Sequence, residues 1–126
     1  MENKKILLVE DDVVLLNVLR DKLSGEGFEV LSAGNGKDGL DLALKFHPNL
    51  VMVDVLMPIM DGMEMTTKLR EDKWGKDVSV IVLTNLNNEK NVADFLEKGA
   101  YDYLVKANWS LEEVVKRVKE KLEEKK

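Results

Sequence analysis

The chain has 126 residues, 44% of them hydrophobic and 34% charged, with a formal net charge of −5 and no cysteine. That length suits one core in one domain over residues 1–126. The acidic balance argues against a direct nucleic-acid partner, which needs clustered Lys and Arg, and the missing cysteines exclude a disulfide scaffold and thiolate metal sites. The amino terminus has too short an apolar run for a signal peptide, and no stretch approaches the ~20 apolar residues of a membrane helix. A cytoplasmic domain with no membrane contact is the expectation.

Taken in order, five apolar or β-branched runs predict strands over Lys5–Val9, Phe28–Ser32, Leu50–Val53, Val78–Leu83 and Tyr101–Val105. The segments between them have helical spacing. Leu16, Leu19 and Leu23 recur at i, i+3 and i+7; Leu40, Ala43 and Leu44 at i, i+3 and i+4; Val92, Phe95 and Leu96 mark a fourth helix. The last helix has one apolar stripe of Leu111, Val114, Val115, Val118 and Leu122, opened by a Ser110–Glu113 capping box. Stop signals follow each helix: Ser24-Gly25-Glu26-Gly27, His47-Pro48, Lys73-Trp74-Gly75 and Gly99. His47, the single histidine, reads as a terminal cap rather than a catalyst, and Trp74 and Trp109 as cover for the core rim. Five β-α units in succession predict a parallel sheet with right-handed crossovers and helices on both faces, a three-layer α/β fold.

In such a sheet the C-terminal strand ends share one edge, which is where open α/β sheets bind ligands. The first strand ends in Glu10-Asp11-Asp12, the third in Asp54, the fourth in Thr84-Asn85 and the fifth in Lys106. Carboxylates crowded together raise one another's pKa, and a hard divalent cation such as Mg²⁺ resolves the conflict with oxygen ligands. A hydroxyl on Thr84 and an ammonium on Lys106 would stabilise charge on a phosphoryl group in transfer, with Asp54 as the nucleophile. Each residue also has an ordinary role open to it: Glu10, Asp11 or Asp12 as a helix N-cap, Asp54 as a turn former, Thr84 as a strand end, Lys106 as a surface charge. Their convergence on one edge favours the chemical reading.

These residues resemble the receiver domain of two-component response regulators, the CheY-like family. The matching pieces are Ile6-Leu7-Leu8-Val9-Glu10-Asp11-Asp12, Asp54 with Met57-Pro58-Ile59-Met60-Asp61-Gly62, Leu83-Thr84, and Tyr103-Leu104-Val105-Lys106, in order and over the whole chain. The resemblance implies a flavodoxin-like (βα)5 sheet of order 2-1-3-4-5. It implies that Asp54 accepts a phosphoryl group from a sensor histidine kinase or a histidine phosphotransfer protein. Mg²⁺ would be held by Asp11, Asp54 and the backbone carbonyl of Leu56, with Glu10 acting through water; this register, favoured over a one-residue slip that would choose Asp11 and Asp12, leaves Asp12 at the start of the first helix. Thr84 would swing toward the phosphoryl group, Lys106 would pair with it, and Tyr103 would turn inward as an aromatic switch. Phosphorylation would then shift populations at the face of the fourth helix, fifth strand and last helix toward a downstream protein target. The resemblance implies a monomer or a phosphorylation-dependent dimer that catalyses only its own phosphorylation and dephosphorylation.

The chain departs from the family in three places. Lys106 is followed by Ala107 where proline is usual, so a trans peptide is expected there. Thr84 is followed by Asn85 rather than a very small residue, and Leu56 and Leu86 put apolar side chains two positions after Asp54 and Thr84. Slow self-dephosphorylation and poor use of small phosphodonors are expected from these. Three other functions compete. A flavodoxin or dinucleotide enzyme would need a phosphate-cradling Gly or Ser/Thr loop where this chain has acids. A Mg²⁺-dependent phosphohydrolase lacks a second catalytic apparatus, and a phosphorylation-independent interaction module would not need the full Asp54, Thr84 and Lys106 set. The sequence after the last predicted helix is short, which fits either a stand-alone receiver or part of a longer protein.

Overall fold

Strand β3 (Leu50–Asp54) is buried along its whole length, because a strand covered by helices on both faces can use apolar side chains at every position. Around it, the computed structural model describes residues 4–55, 57–84, 102–105 and 110–123. The other strands are β1 (Lys5–Val9), β2 (Glu29–Ala33), β4 (Ser79–Thr84) and β5 (Asp102–Val105). All pair in parallel in the order β2-β1-β3-β4-β5. The order and the five strands agree with the expected flavodoxin-like sheet; β2 and β4 begin one residue later than the sequence suggests.

Alternating side chains divide the core into two layers, as a period of two requires. Leu7, Val9, Val51, Val53, Val80 and Val82 face Ala43 of α2 (Gly36–Phe46) and Met65 and Leu69 of α3 (Gly62–Glu71). Ile6, Leu8, Leu50, Met52, Ile81 and Leu83 face Leu19 and Leu23 of α1 (Val13–Gly25) and Val114, Val115 and Val118 of the C-terminal helix (Leu111–Glu123). Helix, sheet and helix thus form three layers. The predicted helix around Val92–Leu96 and the stop at Gly99 lie outside the described residues.

Local signals end and join the elements largely as expected. Ser110 Oγ accepts from Glu113 N at 3.2 Å and caps the C-terminal helix. His47 ends α2 in a left-handed conformation, φ 48°, and stacks on Trp74 with ring centroids 4.3 Å apart. Arg70 donates to the carbonyls of Gly75 and Val78, at 2.7 and 2.8 Å, and fixes the approach to β4. One helix face differs from expectation. Ala43 is buried as expected, but Leu44 is exposed, and α2 also buries Gly36 and Gly39. A Cβ on Gly39 would meet the Val9 side chain at 2.7 Å, so small residues let α2 lie close to β1.

Candidate functional site

The C-terminal ends of β1 and β3 are neighbours, with Val9 paired to Val53. The next residues, Glu10 and Asp54, are therefore adjacent at the sheet edge. Both are buried, at 1% and 6% exposure, while Asp11 is exposed. Glu10, Asp11 and Asp54 each offer a carboxylate oxygen, all within 4.8 Å of one another, and such a group can hold a metal ion. Three carboxylates at that separation repel unless a cation lies among them.

The backbone around the cluster is fixed from several sides. Glu10 N donates to Ala33 O of β2 at 3.0 Å, and Val55 N to Leu83 O of β4 at 3.2 Å. Asp12 has a different role from its neighbours. Its Oδ1 accepts from Val14 N and Leu15 N, at 3.0 and 3.2 Å, so it caps α1. Its own N–H donates to Glu10 Oε2 at 3.0 Å and orients that carboxylate. The ordinary role that the sequence left open to three acids thus falls to Asp12.

The loop leaving Asp54 folds back on the strand. Gly62 N donates to Val55 O at 2.9 Å, and Gly36 N, at the start of α2, donates to Met60 O at 2.9 Å. Both glycines are close approaches: a Cβ would stand 2.2 Å from the Asp54 carbonyl oxygen at Gly62, and 2.2 Å from Met60 O at Gly36. Asp61 caps α3 through Glu64 N at 2.8 Å. At the loop's tip Ile59 has φ 70°, a feature that no periodicity or spacing in the sequence announces.

Thr84 is the last residue of β4, whose Leu83 pairs with Asp54, and Val105, its partner in β5, is the last residue of that strand. The backbone of Tyr103 lies in β5 opposite Val82. Leu56, Asn85, Leu86, Lys106 and Ala107 lie outside the described residues. The fold therefore brings Glu10, Asp11 and Asp54 together and sets the Thr84 backbone one strand away.

The fold is a three-layer α/β domain with an acidic cluster at the C-terminal edge of its parallel sheet. The family model of the response regulator receiver domain matches residues 6–119, and the chain belongs to that family. It is thus a CheY-like receiver of two-component signalling. It is 38% identical over 106 residues to "Probable transcriptional regulator ycf27" of Porphyridium aerugineum, which covers 84% of this chain and 43% of that protein. It is also 38% identical over 117 residues to "Transcriptional regulatory protein SrrA" of Staphylococcus aureus, covering 93% of this chain and 47% of that one. The chain spans less than half the length of these curated relatives. Among solved structures, the receiver domain of the Francisella response regulator 1452 superposes with a TM-score of 0.88 at 28% identity, over 98% of this chain and all of that one.

Proposed function

We propose that this chain, as a single receiver domain over residues 1–126, takes a phosphoryl group on Asp54 from a sensor histidine kinase or a histidine phosphotransfer protein. The observation behind the reading is the trio of carboxylates gathered on two adjacent strand ends. An Asp54 oxygen attacks phosphorus as the P–N bond of the donor phosphohistidine breaks. The imidazole nitrogen leaves with the bonding pair and takes up a proton. The acid trio is an all-oxygen donor set, which suits a hard cation. Asp11, Asp54 and the Leu56 carbonyl would hold Mg²⁺ directly. Glu10, beside the two aspartates in the same cluster, would act through water. Bound there, the cation neutralises charge on the phosphoryl oxygens. The receiver domain of the sensor histidine kinase PA1611 of Pseudomonas aeruginosa, 26% identical with a TM-score of 0.87 over 96% of this chain and 98% of that one, has a magnesium ion coordinated in its active-site cleft.

Thr84 and Lys106 would contact the transferred group and Tyr103 would respond by turning inward, so that the active arrangement gains population and presents a changed face to a downstream protein. The names of the relatives point to transcriptional output for the whole protein, with DNA contacted outside this acidic receiver. The receiver works in the cytoplasm; among the described residues no helix is long and apolar enough to cross a membrane. It catalyses only its own phosphorylation and dephosphorylation.

The test is labelling with acetyl phosphate and with a phosphorylated kinase in Mg²⁺, followed by mass spectrometry. Asp54→Ala should abolish incorporation, and incorporation unchanged by that substitution rejects the reading. Turnover of phosphate esters would favour a phosphohydrolase, and failure of beryllofluoride with Mg²⁺ to bind would favour an interaction module. The apolar Leu56 and Leu86 predict a long-lived acyl phosphate. Its decay, followed after donor removal, should be far slower than seconds.

A further inference from the structure

Ile59 occupies a backbone conformation that disfavours isoleucine. At φ 70° an L residue crowds its own carbonyl, and for a β-branched side chain this is a true outlier. Met60 N donates to Pro58 O at 2.7 Å across it, closing a three-residue γ-turn of the strained hand. The turn itself has a clear cause. Loop 55–62 is tied at Gly62 N to Val55 O and at Gly36 N to Met60 O, and the chain must reverse between these points. None of these bonds calls for an isoleucine. Glycine or asparagine would make the same turn at lower cost.

The side chain recovers little of that cost within the chain, because Ile59 is 77% exposed. An apolar, β-branched residue that is both strained and solvated is understandable if its surface is used by another molecule. Its position indicates which one. It lies five residues beyond Asp54 in the chain, on the loop that leaves β3, and so borders the sheet edge that a protein delivering a phosphoryl group to Asp54 must approach. The start of α1, which follows the neighbouring strand β1, exposes Val13 and Val14 as well. Apolar side chains thus stand on both the β1 and the β3 side of the acidic centre.

We infer that Ile59 is a specificity contact for the phosphodonor protein, covered by an apolar surface beside the donor's phosphohistidine. The inference rests on Asp54 being the acceptor. A small donor has no surface that reaches the turn, so the two kinds of donor separate recognition from chemistry.

The experiment compares the full chain with Ile59→Asn, which accepts the left-handed turn, and Ile59→Val, which keeps a β-branched apolar side chain. Each is labelled with acetyl phosphate and with the purified, autophosphorylated sensor kinases of the source organism. With acetyl phosphate the three proteins should react alike. With the kinase that labels the wild type fastest, Ile59→Asn should lose about tenfold or more in kcat/KM, through KM, as expected for one lost apolar contact, and Ile59→Val should retain most of it. Equal transfer from the kinase to wild type and Ile59→Asn overturns the inference and leaves the assignment of Asp54 intact. A parallel loss with acetyl phosphate also overturns it, because Ile59 would then shape the site itself. Labelling of the wild type by acetyl phosphate but by no kinase overturns it too. No labelling by either donor removes Asp54 as acceptor, and the inference with it.

Discussion

A Cβ on Gly62 would stand 2.2 Å from the carbonyl oxygen of Asp54, so the residue that opens α3 also decides where β3 ends. Gly62→Ala should push the two backbones apart, cost about 1–3 kcal/mol in urea unfolding, and lower labelling of Asp54 by acetyl phosphate. Ile59 predicts the opposite sign. Replacing it with Asn exchanges a strained β-branched residue for one that enters the left-handed region readily, and urea unfolding should show a gain of about 1 kcal/mol. At this scale the sequence was only partly legible. The types and order of Glu10, Asp11 and Asp54 pointed to one edge, but three consecutive acids cannot be told apart by type alone. The family register left Asp12 at the helix start, and the bonds from Val14 N and Leu15 N to Asp12 agree with it. The Ile59 turn left no trace at all, since it arises from closure bonds between distant residues and not from the local preference of isoleucine.

Among elements, the pairing of α1 with the C-terminal helix adds an electrostatic contact to the shared apolar layer. Lys119 Nζ lies 3.0 Å from Glu26 Oε1 just past the end of α1, and Lys22 lies 3.6 Å from Glu112. The Glu26 carboxyl is held below its ordinary value, first by the hydrogen bond from Lys119, then by the charge of Lys119 and more weakly of Lys22, with slight burial opposing. A carboxyl whose pKa is lower when folded adds stability above its unfolded pKa and loses it as pH falls through the lower, folded value. Urea midpoints should therefore drop more for the wild type than for Glu26→Gln between pH 7 and the acid side of that range. The difference between the two proteins should also shrink in high salt, because the pair is largely solvated. Among the described residues, strand boundaries were readable to within a residue because apolar runs mark them, while the stop at Lys73-Trp74-Gly75 lies past the end of α3 at Glu71. The buried face of α2 was readable only in part. Its spacing gave Leu40 and Ala43, which pack on the core, but also Leu44, which is exposed, and it missed Gly39, which lets the helix approach β1. Hydrophobic periodicity is blind to contacts made by the absence of a side chain.

For the molecule as a whole, the parallel sheet sets two of the acids, Glu10 and Asp54, into its edge beside the exposed Asp11. A cation that binds the folded chain alone should raise its stability by about 2.7 kcal/mol at a hundredfold excess over Kd, roughly 10 °C in Tm for a chain of this size. Asp11→Asn should be more heat-stable than the wild type in EDTA, because one repulsive charge is gone, and should lose most of the rise with Mg²⁺. A thermal melt of both proteins with and without Mg²⁺ checks this. The trio also has a consequence for how the chain is made. Its members come only from β1 and β3, side by side in the sheet, with β2 completing the other flank of β1. By the time residue 62 leaves the ribosome, the three strands and the loop that positions Asp54 have all been synthesised. The half of the chain that gathers the acids can thus begin to assemble first, before Thr84 and Lys106 have been translated.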